Sequence, residues 1–212
     1  MISTPINIEK EIQEIVDVII SQGFEIKEGS ASVEELLYLS RVAEQYNARI
    51  IGETGFHIGL SSLAFLQTHP EIKATSFDIG EYQYVPLAKK IIDQKFPGRH
   101  TLIYGDSRKT VPEYAKKNPN TKFDLIFIDG GHDYKIAKAD ILNMKALAGP
   151  QTVILIDDLT PWLSWGKGPT QAWTEAIQNG LIVQGELYKD GKPVKTIEPP
   201  GERSWALGRY IL

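Results

Sequence analysis

The chain has 212 residues, of which 42% are hydrophobic and 24% charged, enough for one substantial core and too few for two ordinary domains. A formal net charge of −4 gives no electrostatic reason to approach nucleic acid, so no nucleic-acid partner is expected and a small molecule fits better. The absence of cysteine excludes disulfides and thiolate zinc sites, so any metal must sit on oxygen or imidazole ligands.

The N-terminus lacks the basic start and apolar block of a signal peptide, and no stretch approaches the roughly 18 apolar residues of a membrane span. A soluble, cytoplasmic protein with no membrane partner is expected. From Ile6 to Ile20, apolar residues recur at helical spacing, and Gly23 follows where a helix would stop. A second amphipathic helix is expected over Ser32–Gln45, with Val33, Leu36, Leu37, Leu39 and Val42 inward. Residues 1–47 therefore read as an N-terminal helical cap, either over a pocket or simply over a sheet edge. Its apolar surface is also a place where two copies can join as a homodimer.

From residue 48 to 212 the pattern changes. Short apolar runs at Ala48–Ile51, Ala74–Phe77, Thr101–Tyr104, Phe123–Ile128 and Thr152–Ile156 alternate with helical segments at Leu60–Gln67, Val85–Lys95, Thr110–Lys117 and Lys135–Leu147. That rhythm is how parallel βαβ units read, and it predicts an α/β, Rossmann-like, doubly wound sheet. A further helix at Gln171–Asn179 precedes strands at Leu181–Tyr188, Pro193–Ile197 and Trp205–Ile211, with Asp190-Gly191 as a hairpin turn, so the C-terminal edge should be antiparallel.

Ligands of open α/β sheets bind at the carboxyl ends of the strands. After the first strand comes Gly52-Glu-Thr-Gly-Phe-His-Ile-Gly-Leu-Ser61, in which Gly55 and Gly59 allow tight turning and close approach, and the following helix offers free N–H groups to an anion. The spacing departs from the G-x-G-x-x-G dinucleotide fingerprint. Asp78, at the second strand tip, is placed either to accept hydrogen bonds from ribose hydroxyls or to cap a helix. Asp106 and Ser107, after the third strand, either bond an adenine edge or cap the next helix. Neighbouring tips bring Asp129, Asp157 and Asp158 together, and three converging carboxylates repel unless a hard cation such as Mg²⁺ compensates them; the alternative is a capping or supporting role without metal. His132, on a Gly-Gly turn beside them, can act as a general base toward a hydroxyl. Trp162 and Trp165 lie in a Gly- and Pro-rich loop, either stacking on a substrate ring or anchoring the loop.

This set of motifs resembles the class I methyltransferases, and among them the metal-dependent O-methyltransferases. The loop Glu53-x-Gly55-x-x-x-Gly59-x-Ser61 is similar to the glycine-rich motif of the catechol O-methyltransferase group. Phe123–Tyr134, with Asp157-Asp158, is closer to the macrocin and mycinamicin sugar O-methyltransferases. The resemblance runs from about Ala48 to Trp173 and returns at Trp205–Tyr210. It implies S-adenosylmethionine (SAM) as cofactor, with Glu53 and Gly55 at its methionine end beside Gly59, Ser61 on its carboxylate, Asp78 on the ribose, and Ser107 with Asp106 on the adenine. It also implies Mg²⁺ on Asp129, Asp157 and Asp158, with Asp129 facing the cofactor as well, and His132 as catalytic base. One departure is Asp157, where the sugar enzymes carry a glutamate. The implied reaction is Mg²⁺-dependent O-methylation of a small-molecule hydroxyl, on a sugar or a phenol. Metal-independent N- or O-methylation, a nicotinamide-dependent oxidoreductase and a non-catalytic cofactor-binding protein are the alternatives.

Overall fold

A computed structural model of the protein describes residues 8–27 and 31–212. Two helices, α1 (Ile8–Ser21) and α2 (Val33–Gln45), precede an alternation of β1 (Ile50–Thr54), α3 (Leu60–Thr68), β2 (Lys73–Asp78), α4 (Val85–Lys95), β3 (His100–Tyr104), α5 (Ser107–Lys117), β4 (Phe123–Ile128), α6 (Tyr134–Met144) and β5 (Ala148–Ile156). The chain ends with α7 (Lys167–Gln178), β6 (Ile182–Lys189), β7 (Lys192–Val194) and β8 (Ser204–Tyr210). The expected start of the first helix at Ile6 lies outside the described residues.

The eight strands form one sheet in the order β3-β2-β1-β4-β5-β8-β6-β7. Strands β1 to β5 pair parallel, whereas β8 runs antiparallel to β5 and to β6, and β7 antiparallel to β6. This is the doubly wound sheet with an antiparallel C-terminal edge that the sequence predicts. Strand order reverses between β1 and β4, the switch point at which such sheets bind ligands.

The apolar runs are continuous because the parallel strands are covered on both faces. Leu125, Phe127, Val153 and Leu155 point into a core shared with α1 to α4, while Ile126, Ile128, Ile154 and Ile156 point into a second core under α5 to α7. Ile15 and Ile19 of α1 and Leu36, Leu39 and Val42 of α2 belong to the first of these cores. The N-terminal helices thus share a core with the sheet.

Several boundaries differ from the expected ones. Strand β1 begins later than Ala48 and runs on through Glu53 and Thr54, because a central strand flanked by β2 and β4 has hydrogen-bond partners on both sides for its backbone. Strand β5 starts at Ala148 rather than Thr152, and α5 starts at Ser107 rather than Thr110, where Asp106 caps it. Helix α6 ends at Met144 and passes into a 3-10 turn over Lys145–Leu147. Helix α7 starts at Lys167, and β7 is shorter than expected, ending at Val194.

Candidate active site

A cavity of about 740 Å³ lies at the carboxyl ends of β1, β2, β4 and β5. The ladder continues one residue past the strands: Gly55 N–H donates to Phe77 O at 2.9 Å, Asp129 N–H to Thr54 O at 3.0 Å and Asp157 N–H to Ile128 O at 3.1 Å. The tips therefore line up, and Gly55, Gly59's neighbour Leu60, Asp78, Asp129 and Asp157 border one space.

Gly55 has φ +86°, and a Cβ there would lie 1.8 Å from the Asp129 carbonyl oxygen. The loop thus crosses directly over the β4 tip at a position that only glycine can occupy. Gly59, at φ +81°, precedes α3 without any side-chain cap, leaving the N–H groups of that helix end to a ligand. Ser61, in the first turn, lines the cavity and is 7% exposed. Asp78 organises the loop: its Oδ2 accepts from Phe56 N–H at 2.7 Å and His57 N–H at 3.0 Å, and its Oδ1 from Gly80 N–H at 2.7 Å. It caps no helix, and its side chain lines the cavity.

Asp106 and Ser107 also line the cavity. Asp106 is the N-cap of α5, accepting from Arg108 N–H at 3.0 Å, and its Oδ2 pairs with Arg108 Nη2 at 2.7 Å. This is the capping alternative for Asp106.

Glu53 sits elsewhere. It is fully buried within β1, and its side chain accepts from Ser76 Oγ at 2.5 Å and from Ser62 Oγ. Ser76 Oγ also meets His100 Nε2 at 2.7 Å. Strand alternation turns Glu53 to the α3 side of the sheet, where its carboxyl is held between α3 and β2 and does not line the cavity. Burial raises the Glu53 carboxyl above the ordinary carboxylate range, against the opposing pull of the serine hydroxyls. Burial depresses the His100 imidazole to about 3.

The acidic cluster forms as expected. One carboxylate oxygen from each of Asp129, Asp157 and Asp158 lies within 4.8 Å of the others. Asp157 and Asp158 are consecutive, and in an extended strand their side chains would point to opposite faces. Asp158 takes φ +62°, a left-handed backbone that a non-glycine residue adopts at some cost. The turn brings both carboxylates to one place. Burial, then the charges of Asp157 and Asp158, push the Asp129 carboxyl well up; burial, then Glu35 and Asp158, do the same to Asp157. His132 Nε2 lies 2.9 Å from Asp158 Oδ2, on the rim of the same cavity.

Three contributors are not evident from sequence reasoning. Glu35, on α2, is 1% exposed and lies against Asp157; burial, then the charge of Asp129, raises its carboxyl to about 8. Arg203, before β8, places Nη1 3.9 Å from Glu35 Oε2. Asp140, buried on α6, lies under the Gly130 turn, and burial raises it to about 6. Trp162 Nε1–H donates to Gly201 O at 2.8 Å and so anchors its loop, whereas Trp165 is 42% exposed and lines the cavity.

A doubly wound sheet with a glycine loop at the switch point, an acid at the next strand tip and an acidic cluster opposite defines a class I methyltransferase fold. A family model described as a methyltransferase domain matches residues 53–159, and the chain belongs to that family. Membership decides for methyl transfer over nicotinamide-dependent redox chemistry. A search of curated protein sequences finds no match. Solved structures are similar in fold. An O-methyltransferase from Bacillus cereus in complex with SAH superposes with a TM-score of 0.76 at 16% identity, covering 98% of this chain and 92% of that one. TomG from Streptomyces achromogenes, an O-methyltransferase involved in tomaymycin synthesis and solved with SAM, gives 0.73 at 14% identity, covering 99% and 92%. CalS11, a TDP-rhamnose 3'-O-methyltransferase of calicheamicin biosynthesis, gives 0.63 at 19% identity, covering 96% and 87%.

Proposed function

We propose that the protein transfers the methyl group of SAM to a hydroxyl of a small molecule, with Mg²⁺ on Asp129, Asp157 and Asp158. The observation that carries this reading is the convergence of those three carboxylates beside His132, across one cavity from the Gly55–Gly59 loop. The donor set fits a hard cation: it is all oxygen, and Asp157 Oδ1 is buried with no hydrogen-bond partner among the described residues beyond the Glu35 carboxyl. Bound there, the cation supplies charge that lowers the pKa of a substrate hydroxyl.

The chain's own residues do the rest. The free N–H groups at the start of α3, with Ser61, hold the cofactor's carboxylate, and Asp78 holds its ribose. Ser107 lies on the adenine side. His132, whose Nε2 lies 2.9 Å from Asp158 Oδ2, is the base toward the substrate hydroxyl. Transfer forms an O–CH₃ bond as the donor's S–CH₃ bond breaks, and the hydroxyl proton ends on the imidazole of His132. Because the donor is already activated, orientation and electrostatics are what the protein contributes. Trp165 offers a ring face to the acceptor.

The test is SAH formation over a panel of phenols, free sugars, nucleotide sugars and amines, with Mg²⁺ or with EDTA. A hydroxyl acceptor should turn over only with Mg²⁺, and His132→Ala should lower its rate by roughly 10²–10⁴ without changing SAM affinity. Full activity in EDTA would remove the cation from the account, and turnover confined to amines would remove the O-methyl assignment.

A further inference from the structure

Glu35 is an unusual residue for its place. Positions 35, 39 and 42 fall on one stripe of α2, and Leu39 and Val42 are core residues. A glutamate on that stripe is buried with them. The guanidinium nearest to Glu35, that of Arg203, stands 3.9 Å away. The Glu35 carboxyl instead abuts that of Asp157, close enough for the two to share a proton, and neither Glu35 oxygen nor Asp157 Oδ1 meets any other hydrogen-bond partner among the described residues. Buried, unpaired carboxylates are costly, and a cluster of them calls for a compensating group. Arg203 brings the nearest guanidinium to this group of four carboxyls, those of Glu35, Asp129, Asp157 and Asp158.

We propose that Glu35 is the fourth carboxylate of the cation centre, a positioning residue that holds Asp157 toward the cation and ties helix α2 to it. The inference rests on the cation reading given above. The other three carboxylates come from the ends of β4 and β5, whereas Glu35 comes from a helix near the N-terminus. Cation occupancy therefore reaches beyond the strand tips. It fixes α2 against the sheet and with it the wall of the cavity on the side of Ala31, the residue just before the helix cap Ser32.

The experiment is a Mn²⁺ titration of the EDTA-treated full-length protein, followed by electron paramagnetic resonance without SAM, alongside hydrogen exchange of α2. Wild-type protein should bind one Mn²⁺ and Asp129→Asn none. Glu35→Gln, which keeps size but not charge, should bind roughly 10- to 100-fold more weakly, the usual loss when a group supporting a metal ligand is removed. Glu35→Asp should recover part of that loss. In EDTA, Glu35→Gln should melt no lower than wild type, which separates a cation role from a merely structural one. Mn²⁺ should slow exchange over 33–39 in the wild type, a readout that needs no variant. Wild-type affinity in Glu35→Gln, or protection confined to the strand tips, overturns the proposal and leaves the three-aspartate centre standing. Equal absence of binding in wild type and Asp129→Asn overturns both.

Discussion

The replacement of Gly55 by alanine tests how the loop is built. At φ +86°, a side chain costs about 1–2 kcal/mol from backbone strain alone. The added Cβ would stand 1.8 Å from the Asp129 carbonyl oxygen, and opening that contact moves the loop off the β4 tip. Two ladder bonds are then at risk, Gly55 N–H to Phe77 O at 2.9 Å and Asp129 N–H to Thr54 O at 3.0 Å, each worth about 1 kcal/mol. The sum is on the order of 3–4 kcal/mol, which for a chain of this size lowers Tm by roughly 10 °C. Differential scanning fluorimetry reads the Tm and isothermal titration the SAM affinity, which should fall at least about tenfold because displaced backbone no longer cradles the ligand. A Gly55→Ala protein with wild-type Tm and wild-type SAM affinity would refute the reasoning.

Further outcomes follow from the same geometry. Asp129 carries a carboxyl raised by burial and by its acidic neighbours, so its charge opposes folding once pH exceeds the ordinary carboxylate range; in EDTA at pH 8, Asp129→Asn should melt at or above the wild-type temperature, and the rise in Tm that Mg²⁺ gives the wild type should vanish. His100 is depressed from 6.5 to about 3, so the fold favours its neutral form. That contribution is fully present above pH 6.5 and is lost as pH falls toward 3, at about 1.4 kcal/mol per pH unit. Urea melts between pH 7 and 4.5 should show a shallower acid loss for His100→Gln than for wild type; parallel curves would contradict the burial assigned to His100. Trp162→Phe removes the bond to Gly201 O and should cost about 1 kcal/mol, a Tm drop of roughly 2–4 °C. Trp165→Ala should leave Tm unchanged and raise the KM for the acceptor.

The fold was legible because each parallel strand is an apolar run ending in a turn residue, and the tips follow directly: Asp78, Asp129 and Asp157 each come just after or at the end of such a run. Asp158 was legible by adjacency, although its left-handed backbone was not. Glu53 misleads for a physical reason. A glutamate beside glycine and threonine reads as loop, yet the strand continues because Ser62 and Ser76 supply the hydroxyls that let a carboxyl be buried. Those serines sit in unrelated segments, so nothing local announces them. Glu35 follows Ser32 at the third helical position, where a glutamate ordinarily reads as part of a capping box. The signal that could have found it is its place on the Leu39–Val42 stripe, where an acid contradicts the apolar pattern. Arg203 lies in a polar loop and becomes meaningful only once β8 is seen beside β5.

The most direct test of a shared donor and acceptor site is a crystal structure of the protein soaked with SAH and Mn²⁺, read by anomalous scattering. An anomalous peak within coordination distance of Asp129, Asp157 and Asp158, with SAH lying over Gly55–Gly59 and its ribose on Asp78, is the predicted result. SAH bound there with no peak at the three aspartates, or a peak away from them, would contradict cation-assisted methyl transfer in this cavity.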